Sequence, residues 1–105
     1  MVIRQFDVFP NPSLRSREDA PYVVVLQSQY AGDLATAVVA PVYRAEVAER
    51  FTNLTVHIQL DTWDFVVSIP ELVAMNSARL RGKITDLLAH EDDIRRAVDR
   101  LFTGF

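Results

Sequence analysis

A mainly β domain closed by one C-terminal helix is the fold class this sequence predicts, an all-β barrel or sheet with a helix packed on it. Three observations carry the prediction. Between residues 2 and 75 apolar residues either alternate with polar ones or run in short β-branched blocks. Pro10, Pro12, Pro21, Pro41 and Pro70 punctuate those blocks. From Lys83 onward the apolar period changes from two to about 3.6 residues, the repeat of an amphipathic helix.

Residues 2–9 alternate and read as a strand, ended by Pro10 and Pro12. Residues 10–21 hold three prolines and a cluster of charges, the composition of a long mobile loop. Residues 22–26 are too continuously β-branched to have one wet face and suggest a buried central strand. Residues 27–33 are polar, include Gly32 and should turn. Residues 34–42 form a second long strand, which Pro41 is expected to close. Residues 44–51 fit a short helical piece with Val47, Ala48 and Phe51 inward. Along residues 54–60, Leu54, Val56, Ile58 and Leu60 face one way and Thr55, His57 and Gln59 the other. Asp61-Thr62 is a tight turn, and residues 63–69 return as the second strand of a hairpin. Residues 72–75 read as a short strand and residues 77–82 as irregular.

The helix is expected over about residues 84–102, with Ile84, Leu87, Leu88, Ile94, Val98, Leu101 and Phe102 on one stripe. Either Ser77 or Thr85 would cap its start. Glu91–Arg95 and Asp92–Arg96 are acid-before-base pairs four residues apart, each worth a few tenths of a kcal/mol. All strands then lie within residues 2–75, and residues 1–105 form one domain.

Half of the residues are hydrophobic and 24% charged, an ordinary globular composition. A 105-residue chain has a limited core, so a dimer interface would help to stabilise it. Cysteine is absent, which removes disulfides and thiolate metal sites and makes a reducing cytoplasm the expected location. The N-terminus, MVIRQFDVF, lacks the long apolar run of a signal peptide, and no apolar stretch approaches membrane-spanning length. The net charge of −3 argues against non-specific binding of a phosphate backbone, which depends on Lys and Arg displacing counterions.

Catalytic signatures are sparse. His57 and His90 are the only histidines, and both fall on polar faces where surface histidines are expected. No three or four residues show metal-ligand spacing, so neither a metal nor another cofactor is expected. Gly82-Lys83 lacks the remaining glycine and hydroxyl residue of a phosphate loop. Asp92-Asp93 fits a solvated helix face better than an acid/base pair. No catalytic residue is assigned.

The informative segment is the end of the chain. Most chains end in polar, frayed residues; this one ends in Leu101-Phe102-Thr103-Gly104-Phe105. Either these groups pack on the protein itself or across a dimer interface, or the last three project to a partner. Leu101 and Phe102 lie on the apolar stripe and suit packing. Thr103, Gly104 and Phe105 are free to project, with Gly104 permitting a turn and Phe105 serving as an anchor.

Four segments resemble the CcdB toxins of bacterial toxin–antitoxin modules: Gln5-Phe6-Asp7-Val8-Phe9; Val25-Leu26-Gln27-Ser28; Val56-His57-Ile58 followed by Trp63; and Asp86-Leu87, His90-Glu91, Asp93-Ile94, Ala97-Val98, Leu101-Phe102 with Gly104. The resemblance implies an SH3-like barrel with a C-terminal helix, assembled as a homodimer with Val98, Leu101 and Phe102 near the two-fold axis. It implies a poison of DNA gyrase that inserts its helix ends into the gyrase A-subunit dimer. A CcdA-like antitoxin would neutralise it, and the complex would repress its own operon, so DNA is met only through that complex. The gyrase-facing positions implied are Ser28, Asp99, Thr103, Gly104 and Phe105. Three of these depart from the family pattern, which ends Trp-Gly-Ile: Phe105 takes the place of the isoleucine. Thr103 stands where the family has tryptophan, and Asp99 where it has asparagine.

Two other readings remain open at this stage. A degenerate homologue would still bind antitoxin without poisoning gyrase. An endoribonuclease of the MazF/Kid type would share the barrel, and Arg15, Arg17, Glu18 and Asp19 resemble the arginine and acid that such enzymes carry near the first loop.

Overall fold

In the computed structural model, which describes residues 3–28, 30, 34–48 and 53–104, strand pairing organises nearly the whole chain. Seven strands are present among the described residues: β1 (Asp7–Pro10), β2 (Tyr22–Val25), β3 (Thr36–Arg44), β4 (Thr55–Leu60), β5 (Trp63–Ser68), β6 (Val73–Asn76) and β7 (Thr85–Asp86). One helix, α1 (Glu91–Thr103), follows. All pairings are antiparallel, in the order β4-β5-β3-β2-β1-β7, with β6 added to β3. The sheet curls into a half-barrel, and the fold is the mainly β, SH3-like class with a C-terminal helix that the sequence predicts.

The curl follows from β3, the longest strand. Its first half pairs with β6 as far as Val39↔Val73, and its second half pairs with β5 from Val42↔Val67. Pro41 falls at this changeover, where the ladder is already interrupted, so β3 runs on to Arg44 instead of ending at the proline. Pro70 opens a 3-10 turn at Ile69–Glu71 that bends the chain from β5 into β6.

Both faces of the central strands are covered, which is why residues 22–26 read as unbroken β-branched sequence. One face, with Val8, Val24, Ala40, Val42, Val56, Ile58, Val67 and Ile69, packs with Phe6 and Leu87 against Ile94 and Ala97 of α1. The other, with Phe9, Val23, Val25, Ala37 and Val39, is covered by Ile3, Leu80 and Met75. In β4 the expected alternation holds, with Val56 and Ile58 buried and His57 and Gln59 exposed. The hairpin closes at Leu60↔Trp63, and Asp61 takes a left-handed φ of 57° in the two-residue turn.

Several boundaries differ from expectation. The helix begins at Glu91, not near residue 84. Residues 84–87 are instead held by β1: the Ile84 N–H donates to the Val8 carbonyl (2.9 Å), Thr85 and Asp86 pair with Val8 and Asp7, and the Leu87 N–H donates to the Phe6 carbonyl (2.9 Å). Ile84 and Leu88 are accordingly exposed and do not belong to the helix stripe. Neither Ser77 nor Thr85 caps α1; a 3-10 turn at Leu88–His90 leads into it. The first strand is shorter than residues 2–9. Arg4 to Asp7 form a turn, in which Phe6 adopts a left-handed φ of 72°.

Residues 10–21 are not an open loop. Buried Asn11 ties them together: its Nδ2 donates to the Ala20 carbonyl (2.8 Å) and to Ser16 Oγ (3.0 Å), and its Oδ1 accepts from the Ser13 N–H (3.0 Å). Residues 45–47 make a single turn, with Val47 exposed instead of inward. Met1, Val2, most of the expected 27–33 turn, Phe51 and Phe105 lie outside the described residues.

Candidate functional site

The end of α1 is built by the helix's own local chemistry. Glu91, Asp92 and Asp93 place negative charge on the first turn, where the helix dipole favours it, and Arg100 lies in the last. Ile94 and Ala97 are buried on the sheet, and Val98 and Leu101 are half-buried against the same cluster. The helix stops because Gly104 turns left-handed (φ 80°, ψ 13°) and its N–H donates back to the Arg100 carbonyl (3.0 Å). A Cβ at Gly104 would meet nothing within 4 Å, so the glycine is needed there for its backbone angle and not for space.

Beyond Leu101 the chain leaves its own core. Phe102 is 67% exposed, and Thr103 and Gly104 are exposed with it. The expectation that Phe102 packs on its own domain is therefore corrected: at the last turn the stripe of Ile94, Val98 and Leu101 has rotated past it. The Thr103 hydroxyl is turned back onto the helix and donates to the Asp99 carbonyl (2.6 Å). Thr103 thus offers a partner its methyl group and an acceptor oxygen, but no free hydroxyl proton. The Asp99 side chain is exposed and makes no ion pair among the described residues.

Ser28 does not join this tip within one chain. It lies on a separate cleft of about 400 Å³ lined by Arg4, Phe6, Asp7, Tyr30, Lys83 and Leu88, among others, at the start of the helix and not at its end. The floor of that cleft is a satisfied ion pair. Asp7 is 3% exposed, and its two oxygens accept from Lys83 Nζ (3.0 Å) and the Arg4 N–H (2.9 Å). Arg95 links the cleft to mid-helix, with its guanidinium 5.4 Å from the centre of the Phe6 ring and bonded to Gln5 Oε1 (3.2 Å).

Sequence reasoning missed Asn11, the left-handed Phe6 and the Asp7–Lys83 pair. The first had a signal in its flanking prolines, because an Asn within such a segment commonly bonds its own turn. The others depend on which strands become neighbours.

The groups considered for catalysis do not converge. Arg15, Arg17, Glu18 and Asp19 are all exposed, and no ion pair joins them among the described residues. His57 is exposed on β4, and His90 is half-buried at the start of α1. Among the described residues no three His, Cys, Asp or Glu side chains are grouped to hold a metal, and no helix is long and apolar enough to cross a membrane.

Comparison with known proteins defines the class first. The fold is that of an endoribonuclease from a mycobacterial species (TM-score 0.73, 10% identity, 94% of this chain and 89% of that one). It is also that of a mycobacterial endoribonuclease solved in complex with its cognate antitoxin (TM-score 0.69, 9% identity, 92% of this chain and 91% of that one). Such low identities establish a common fold and nothing finer. No match is found among the curated proteins. The sequence model of the CcdB protein matches residues 5–104, and the chain belongs to the CcdB family.

Proposed function

We propose that this chain is the toxin of a toxin–antitoxin module, a cytoplasmic homodimer that poisons DNA gyrase and is not itself an enzyme. The helix end would enter the gyrase A-subunit dimer, and a CcdA-like antitoxin would neutralise it and join it in repressing the operon. One observation carries the reading. An uncovered apolar group, Phe102, stands beside a helix terminus that Gly104 holds in a defined turn. Membership of the CcdB family favours gyrase as the target, and the antitoxin complex of a structural neighbour supports the module. The proposed gyrase contacts are Ser28, Asp99, Thr103, Gly104 and Phe105. Val98, Leu101 and Phe102 are proposed to lie at the dimer interface, from which Phe102 extends towards the target.

Expression in a susceptible host should arrest growth and produce gyrase-linked DNA breaks, with cellular RNA intact. Gyrase left unaffected by micromolar purified protein would refute the reading, and RNA cleavage on induction would replace it with the endoribonuclease. A second reading rests on Thr103, whose hydroxyl is engaged by its own helix and which provides no aromatic surface. It is that the chain binds antitoxin but does not poison. Thr103→Trp switching on toxicity in an otherwise harmless protein would favour this second reading.

A further inference from the structure

The last strand of the sheet, β4, lies next to two arginines. The Ile69 N–H donates to the Leu54 carbonyl (3.2 Å), which fixes the phase of the β4–β5 ladder. In an antiparallel pair, directly opposed residues exchange hydrogen bonds at alternate positions. Val56, Ile58 and Leu60 therefore point their backbone groups at β5, and those of His57 and Gln59 point outward. Among the described residues β4 ends the sheet, and no strand covers that side. Natural edges are usually blunted by a proline, a lysine or a bulge. The segment Thr55–Leu60 (TVHIQL) has no proline or lysine and pairs with β5 in unbroken register.

Beside this edge lies a cleft of about 280 Å³ between β4 and α1, lined by Asn53, His57, Asp93, Arg96 and Arg100, with Ala97 at its base. Arg100 donates to the Asn53 carbonyl over 3.4 Å, and Arg96 meets Asp93 at 3.6 Å with both side chains more than 60% exposed. Contacts so long and exposed hold the guanidinium groups weakly. Both remain available to a stronger partner, and Asp93 offsets only one of the two charges. Four residues of helix rise about 6 Å, close to the roughly 6.6 Å between alternate residues of a strand.

We propose that the edge of β4, with Arg96 and Arg100, is a docking site for an extended acidic peptide segment of a partner protein. The segment adds an eighth strand to the sheet at the outward groups of His57 and Gln59. Its carboxylates, spaced two residues apart, meet Arg96 and Arg100. Main-chain bonds supply attachment, and the arginines select for acidic side chains. The inference rests on the toxin–antitoxin reading only in making the antitoxin the natural bearer of such a segment. The surface lies on the flank of the helix and reaches its last turn at Arg100, next to the tip proposed for gyrase.

The test uses the full-length protein, an NMR titration and two synthetic peptides, Thr-Glu-Thr-Glu-Thr-Glu-Thr and its lysine counterpart. The acidic peptide should shift the amides of His57 and Gln59 and slow their hydrogen exchange, and the lysine peptide should not. Arg96→Glu with Arg100→Glu should weaken binding about tenfold or more, and Arg96→Lys with Arg100→Lys should retain most of it. Gln59→Pro removes an outward N–H without touching the β5 ladder, so it should abolish binding while the melting temperature stays near that of the wild type. Equal binding of both peptides, shifts that map elsewhere, or an edge already protected by a second copy of the chain at all concentrations would each overturn the proposal. Neither gyrase nor antitoxin enters the experiment, so its failure leaves the tip reading standing and the converse also holds.

Discussion

Replacing Phe102 with alanine should abolish toxicity while leaving the domain folded. With 67% of the residue exposed, the chain itself hides about a third of it. For a side chain of roughly 200 Å², that third is worth about 1.7 kcal/mol at about 25 cal/mol per Å². The remaining two thirds, about 130 Å², is available to a partner and is worth about 3 kcal/mol if fully covered, roughly two orders of magnitude in affinity. The two effects are read separately. Urea unfolding measures the first, and calorimetric titration of the gyrase A subunit, with growth arrest on induction, measures the second. Sedimentation of the variant shows whether the homodimer survives. A variant that binds gyrase as tightly as the wild type would refute the reasoning. One that loses activity only because it has become monomeric would instead confine Phe102 to its proposed place at the dimer interface and leave the gyrase contact to the other residues of the tip.

Three further outcomes follow from the local geometry. Gly104→Ala forces a left-handed angle on a residue with a Cβ, at a cost of about 1–2 kcal/mol. Because that Cβ would touch nothing, unfolding should show at most fraying of the last turn, whereas gyrase binding should fall; Gly104→Asn, which tolerates the angle, should restore part of the binding. Asn11→Ala leaves the Ala20 carbonyl and the Ser13 N–H without their side-chain partner, and urea unfolding should show a loss of about 2–4 kcal/mol. Limited proteolysis should then cut within residues 12–19. Lys83→Met strips Asp7 of its cation but leaves the Arg4 N–H, so a loss of about 1–3 kcal/mol is expected, discounted because Lys83 is itself partly exposed.

The fold was legible where a side chain's fate depends on its near neighbours in sequence. The β4–β5 hairpin, with Val56 and Ile58 inward and a two-residue turn at Asp61-Thr62, follows from alternation alone. So does the doubly buried β2, whose β-branched run leaves no polar face. Legibility failed at residues 84–88. Their apolar spacing continues the helical period, yet their backbone groups are taken by Val8 and Phe6, nearly eighty residues away. Pro41 misled for the same reason: a proline ends an isolated strand, but within β3 it falls where one neighbour gives way to another.

For the candidate site the division is similar. Sequence by itself determined that the helix ends in an apolar tip with a glycine turn, because helix periodicity and capping act over a few residues. It also separated Gly104, which keeps the family pattern, from Thr103, which does not. Only the tertiary structure decided that Phe102 leaves the core while Leu101 remains on it, that Ser28 opens onto a different cleft, and that among the described residues no strand covers His57 and Gln59 of β4 beside Arg96 and Arg100. The physical reason is that burial and strand edges are properties of neighbours brought together by the whole sheet. A local pattern can say which face of an element is apolar, but the assembled fold decides whether anything covers it.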